Sequence, residues 1–197
     1  RHFLLGTASV AAMANLKACA IHKAAEHTGL SQVYKNDFLV GTAISNGTLE
    51  APNKPLLDLI AREFNAITAE NCMKSGLLQP SQGQWEWELA DRFVKFGLEH
   101  NMHIVGHALV WHSQAPRDFF VHEDGRQISR EELIRRMATH ISTVMERYKG
   151  KIATWDVANE TIDEDKGWRQ SLWYQVMGSA EYQERAFNLA HEIDPNA

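Results

Sequence analysis

Trp155-Asp156-Val157-Ala158-Asn159-Glu160 is a strand-like run, largely apolar, that closes on an amide and a carboxylate. An ionisable Glu at the exit of a strand that otherwise reads as buried is placed to present a proton donor at the rim of a sheet. Upstream, Ser129 with Glu132 three residues later is the capping-box pattern that opens a helix. Apolar residues then recur at Ile134, Met137, Ile141, Val144 and Tyr148 until Gly150 ends the helix. Downstream, Tyr182, Ala186, Leu189 and Ile193 mark another helix, closed by Asp194-Pro195 because proline disfavours helix at the residue before it. The strand, Ile152 to Glu160, is therefore flanked by helices on both sides.

The same alternation runs back towards the amino end. Phe38 to Ser45 reads as a strand, followed by a helix carrying Leu56, Leu59, Ile60 and Phe64. Ala66 to Asn71 reads as the next strand, with Leu89, Phe93, Phe96 and Leu98 on its helix. His103 to His112 is the third strand. Four strand-helix units without hairpin turns predict a parallel sheet covered by helices, a pattern that both the doubly wound fold and the eight-stranded barrel satisfy. No Gly-x-Gly-x-x-Gly follows the first strand, which weakens the dinucleotide-binding version of the former. Polar residues collect at the carboxyl ends of the strands: Glu70 and Asn71, then His107, Trp111, His112 and Gln114, then Asn159 and Glu160. A barrel keeps its active site at that end.

Strand alternation puts His107, Leu109 and Trp111 on one face, and Asp156, Ala158 and Glu160 on one face, with Trp155 and Val157 packing outward on helices. Asn159 has the wrong parity to share a ligand with Glu160. Both reach one site only if the strand bends or breaks at its end.

Composition narrows the partners. The chain has 197 residues, 44% of them hydrophobic and 23% charged, which is enough to bury a core as one domain. A net charge of −5 with both signs interspersed offers no basic stripe for nucleic acid. The ten histidines are scattered and come without His-Glu-x-x-His or Cys-x-x-Cys spacing, so no metal site is expected, and no cofactor motif is present. Residues 1–20 read as a signal-like segment: Arg1-His2 precedes an apolar run from Phe3 to Ala14, with small-x-small cleavage candidates at Ala12-Met13-Ala14 and Ala18-Cys19-Ala20. One further Arg before Arg1 would make the start resemble a twin-arginine signal, and a buried amino-terminal helix is the other reading. The expectation is a secreted or periplasmic protein without membrane association beyond export, whose folded part is residues 21–197. Cys19 and Cys72 indicate no disulfide framework, and Cys72 reads as a small packed side chain.

Three blocks carry a family resemblance: Glu70-Asn71-Cys72-Met73-Lys74, Gly106-His107-Ala108-Leu109-Val110-Trp111-His112-Ser113-Gln114-Ala115-Pro116, and Trp155 to Glu160. From about Phe38 to Ala197 the chain resembles the family 10 glycoside hydrolases, the endo-1,4-beta-xylanases. Gly150, Arg169 and Trp173 also sit where that pattern would put them. Cys72 stands where an acidic residue is usual and Ala158 where Val is commoner, which leaves the polar positions intact. The resemblance implies a (β/α)8 TIM barrel, of which about the first four β/α units are present here, and hydrolysis of β-1,4-linked xylose polymers with retention of configuration. It implies Glu160 as general acid/base, protonated by virtue of apolar walls and a second carboxylate's charge, and Asn159 as partner of the sugar 2-hydroxyl. Glu70, Asn71 and Lys74 resemble the set that holds the next sugar, and His107, Trp111 and Gln114 line the cleavage subsite, with His112 adding supporting hydrogen bonds. Sugars need such a mixture of hydroxyl partners and aromatic faces.

Plainer readings stand beside these. His107 and Trp111 fit a core, Asn159 fits a turn cap, and Trp85 and Trp87 fit packing better than ligand binding. Asp156 reads as a buried ion-pair partner, and Asp163-Glu164-Asp165 as a solvated loop. Retaining glycosidases need two carboxyl groups about 5 to 5.5 Å apart, and the family's nucleophile lies on the seventh strand, past Ala197. The chain as given is therefore expected to be a catalytically inactive fragment that folds poorly, with unpaired first and fourth strands. A non-catalytic xylan-binding truncation and a structural half-barrel are the alternatives.

Overall fold

The computed structural model describes residues 28–197, so the signal-like segment 1–20 and Cys19 lie outside the described residues. In chain order the elements are α1 (Leu30–Val33), β1 (Gly41–Ile44), α2 (Asn46–Glu50), α3 (Lys54–Glu63), β2 (Ala66–Ala69), α4 (Ser75–Leu78), α5 (Glu88–Glu99) and β3 (His103–Trp111). A 3₁₀ turn (Arg117–Phe119) follows, then α6 (Arg130–Tyr148), β4 (Thr154–Asn159), a small hairpin of β5 (Ile162–Asp163) and β6 (Gly167–Trp168), α7 (Leu172–Met177) and α8 (Glu181–Ile193). Strands β1 to β4 form one parallel sheet in sequential order. This is the expected succession of β/α units. Among the described residues no strand pairs with the outer edge of β1 or of β4.

Register explains which face carries what. Ile44 lies beside Ala69, Ile67 beside Ile104 and Gly106 beside Trp155, and Ile44, Ala69, Ile67, Ile104 and Trp155 pack into the core under the helices. The opposite rows carry Thr68, Val105 and Thr154, then His107 and Asp156, and remain partly open. Helix α5 buries Ala90, Phe93, Val94 and Gly97, and α6 buries Leu133, Met137, His140, Ile141, Val144 and Tyr148, each at helical spacing. Ser129 Oγ accepts from Glu132 N at 3.2 Å, as the cap pattern predicts. The reciprocal half is missing because the Glu132 carboxylate is engaged by Arg135 and Arg136, which hold it down to about 2. Gly150 takes φ 68°, the left-handed conformation that lets the chain leave α6 towards β4.

Trp85 and Trp87 are packing residues, stacked on each other with centroids 4.9 Å apart, against His140 and Tyr148 respectively. Cys72 is free and buried, and burial pushes its thiol up to about 12, so it packs as a neutral side chain. Three expectations need correction. Leu109 does not share a face with His107 and Trp111, because β3 carries one extra residue between His107 and Val110, and Leu109 goes into the core. Asp156 pairs with His107 but its side chain is 44% exposed, since it lies on the open face of the sheet. Asp163-Glu164-Asp165 belongs to the β5–β6 hairpin, where Glu164 and Asp165 are exposed at the tip and Asp163 faces Arg169.

Candidate active site

The bulge in β3 changes what its end can meet. Beyond it Trp111 lies opposite Asn159 in the ladder, and β4 stops there. Glu160, the next residue, has φ 49°, a left-handed conformation that non-glycine residues adopt at a cost of roughly 1–2 kcal/mol. The strand therefore does break where the Asn-Glu pair required it to. With the alternation interrupted, Asn159 and Glu160 both sit at the carboxyl rim. Glu160 Oε2 accepts from Trp111 Nε1 at 3.1 Å and lies 3.7 Å from His112 Nε2, with half of the side chain exposed.

From Trp111 the cluster extends towards β2. Lys74 Nζ stands 4.6 Å from the Trp111 ring centroid and donates to Asn71 Oδ1 at 2.8 Å, and Asn71 Nδ2 donates to Glu70 Oε1 at 3.2 Å. Lys74 is buried while Glu70 is exposed, so the row runs from a shielded ammonium to a carboxylate open to solvent. One continuous set of contacts joins Glu70, Asn71, Lys74, Trp111, Glu160 and His112. His107 approaches Trp111, ring centroids 5.9 Å apart, and its Nδ1 is 2.9 Å from Asp156 Oδ2, which orients the ring from the neighbouring strand. Gln114 is fixed through its backbone: it has φ 53°, its carbonyl accepts from Gly76 N at 2.7 Å, and its side chain is exposed.

Burial holds the His112 imidazole below its ordinary range, the charge of Arg169 adds to this, and the Glu160 carboxylate opposes it. A neutral imidazole beside Glu160 offers a hydrogen-bonding edge without fixing the carboxylate in an ion pair. Among the described residues no group of three or more His, Cys, Asp or Glu is arranged to hold a metal ion. Two cavities have linings that exclude this cluster, one of about 530 Å³ among Asn46, Gly76, Leu77, Glu86 and Arg92, and one of about 720 Å³ among Gln82, Asp118, His122 and Arg136. Glu160 lines neither of these cavities, and its side chain is half exposed at the rim.

Residues 29–197 match the family model for glycosyl hydrolase family 10. The chain belongs to that family. Family 10 relatives include endo-1,4-beta-xylanase A of Xylanibacter ruminicola, 43% identical over 81% of this chain, and endo-1,4-beta-xylanase A of Halalkalibacterium halodurans, 41% identical over 83% of it. The chain spans 43% of the length of each. A solved family 10 endoxylanase from a sugarcane soil metagenome superposes with a TM-score of 0.83 at 53% identity, over 86% of this chain and 49% of that one. Family 10 structures are (β/α)8 barrels, and the four parallel units described here are the first part of one.

The family 10 sequence names the residues that support the rim without saying what they bond. Trp173 Nε1 donates to the Trp111 carbonyl at 2.9 Å, and Arg169 Nε donates to the Glu160 carbonyl at 2.7 Å. Both lie beyond the motif blocks. Their place in the family pattern marked them, but nothing in their spacing said which backbone groups they reach.

Proposed function

We propose that this chain supplies the acid/base half of an active site that hydrolyses β-1,4-xylosidic bonds in xylan with retention of configuration. The observation that carries the reading is Glu160 itself: a carboxyl turned off the end of β4 by its left-handed backbone, bonded to Trp111 Nε1 and half exposed. A general acid must reach a leaving oxygen from such a rim position and then accept a proton from attacking water. Asn159, one residue earlier and opposite Trp111, is read as the partner of the sugar 2-hydroxyl, a contact of the kind that strengthens as charge develops. Glu70, Asn71 and Lys74 offer acceptor, amide and ammonium to the hydroxyls of the adjoining sugar, and the Trp111 ring lies between the two groups of residues.

Among the described residues the side-chain partners of Glu160 are Trp111 and His112, neither of which can serve as the carboxylate nucleophile of a double displacement. Likeness to family 10, not the contacts of Glu160, is the ground on which the nucleophile is assigned to a further strand of the barrel. Since a polysaccharide does not cross a membrane, the apolar segment Phe3 to Ala14 fits a role in export. The test is reducing-sugar release from soluble xylan by the 197-residue chain, by the chain extended through its downstream reading frame, and by the extended Glu160→Ala form. Activity is expected in the extended chain alone, with a loss on the order of 10²–10⁴ in the variant. Release by the 197 residues alone would mean that a carboxylate within them is the nucleophile. Inactivity of all three would reduce the role to binding.

A further inference from the structure

We propose that Arg169 is a positioning residue for the general acid/base, holding Glu160 in its left-handed conformation from the β5–β6 hairpin. This rests on the assignment of Glu160 above. A non-glycine residue at φ 49° returns to ordinary backbone unless its surroundings over-determine it. Among the described residues, Trp111 and His112 meet the Glu160 carboxylate, and the side chain that bonds its backbone is Arg169. Arg169 Nε donates to the Glu160 carbonyl at 2.7 Å, one terminal nitrogen reaches the Ile162 carbonyl at 3.4 Å, and the other lies 3.8 Å from Asp163 Oδ2. Its own backbone N–H closes the hairpin base on the Thr161 carbonyl at 2.9 Å. The rigid guanidinium fork thus ties together Glu160, Ile162 and Asp163, the chain that leaves the strand at its break.

The choice of atom matters. The guanidinium takes the carbonyl of Glu160 and not its carboxylate, so the positive charge fixes the backbone while the carboxyl remains with Trp111 and His112. A direct Arg–carboxylate fork would occupy both oxygens that a proton donor needs free. Arg169 acts on chemistry through geometry: with the carbonyl released, the peptide after Glu160 can rotate, the residue relaxes towards extended backbone, and its side chain swings away from the Trp111 indole. Displacements of about 1 Å at a reacting group cost on the order of a hundredfold in rate.

The experiment uses the natural gene product that carries these residues, with its tryptophans labelled with ¹⁵N at the indole. The Trp111 indole resonance, assigned by Trp111→Phe, reports the hydrogen bond to Glu160 without any need for turnover. Glu160→Ala sets the position of the unbonded indole. Arg169→Ala is expected to move the resonance most of the way to that position and to lower kcat by about tenfold to a hundredfold with KM changed less than about threefold. Arg169→Lys, which keeps a donor for the carbonyl but loses the fork, is expected to recover part of both. Asp163→Ala, which removes only the outer contact of the guanidinium, should lower Tm while leaving the resonance and kcat near wild type. A wild-type Trp111 resonance in Arg169→Ala, or equal losses in Arg169→Ala and Asp163→Ala, would overturn the proposal. A resonance unmoved by Glu160→Ala would overturn it together with the contact on which it stands. Inactivity of every form with a shifted resonance would sink the xylan-hydrolase reading and leave the positioning role supported.

Discussion

Trp111 does two things that its ring alone would not. Its Nε1 donates to Glu160 and its face receives the Lys74 ammonium, so it links Glu160 to the row of Lys74, Asn71 and Glu70. Trp111→Phe keeps the face and removes the donor. The expected result is a fall in kcat/KM on xylan of about tenfold, the upper end of what one hydrogen bond contributes, with little change in Tm. Lys74 is buried against Asn71, so Lys74→Met should act on binding instead: KM rises about tenfold while kcat stays within about threefold. Steady-state kinetics on a soluble xylan separates the two. At this scale the motif blocks were legible as residues, and six of them meet in one contiguous cluster. Gln114 was legible only in part, since its place in the site is set by its backbone and its side chain points to solvent.

Elements with a strong local signature were readable, and those held by a single long-range bond were not. Ser129 capping α6 belongs to the first kind. Ser129→Ala should cost about 1 kcal/mol and lower Tm by about 2–4 °C in a thermal melt, without affecting ligand affinity. The loop containing α4 belongs to the second. Gly76 donates to the Gln114 carbonyl, and a Cβ at Gly76 would stand 2.3 Å from that oxygen, so Gly76→Ala must push the β2 and β3 loops apart. The expected cost is about 1–3 kcal/mol by denaturant titration, with weaker xylan binding because Lys74 and Trp111 separate too. The hairpin β5–β6 was read as a solvated loop because its strands are two residues each, too short for any periodicity to register. The β3 bulge was equally invisible: Ala108-Leu109-Val110 is uniformly small or apolar, and the extra residue shows only in the pairing with β4.

At the scale of the whole molecule, the core is a sheet with helices on its outer face, and among the titratable groups buried with it is an imidazole. His140 on α6 is buried among Trp85 and Phe119, with Nδ1 donating to Gln79 Oε1 at 3.0 Å, and burial pushes its imidazole down to about 3. Folded-state protonation is thus disfavoured relative to the unfolded chain, whose histidine titrates near 6.5. The stabilising contribution is complete above about pH 6.5 and is lost as the pH falls towards about 3. Its slope approaches 1.4 kcal/mol per pH unit, or about one proton. Urea titrations at pH 7 and pH 5 should show this loss in the wild type and a correspondingly flatter dependence in His140→Gln. Equal pH dependence in both would place the origin elsewhere. What the sequence determined by itself was the alternation of strands and helices, the side of the sheet that carries chemistry, and the identity of most residues there, because periodicity and motif are local properties of a chain. Tertiary structure alone decided that the strand breaks between Asn159 and Glu160, that Leu109 belongs to the core, and that Arg169 and Trp173 bond the backbone of the rim. Each depends on a register shift, a left-handed backbone or a hydrogen bond between segments that only folding brings together.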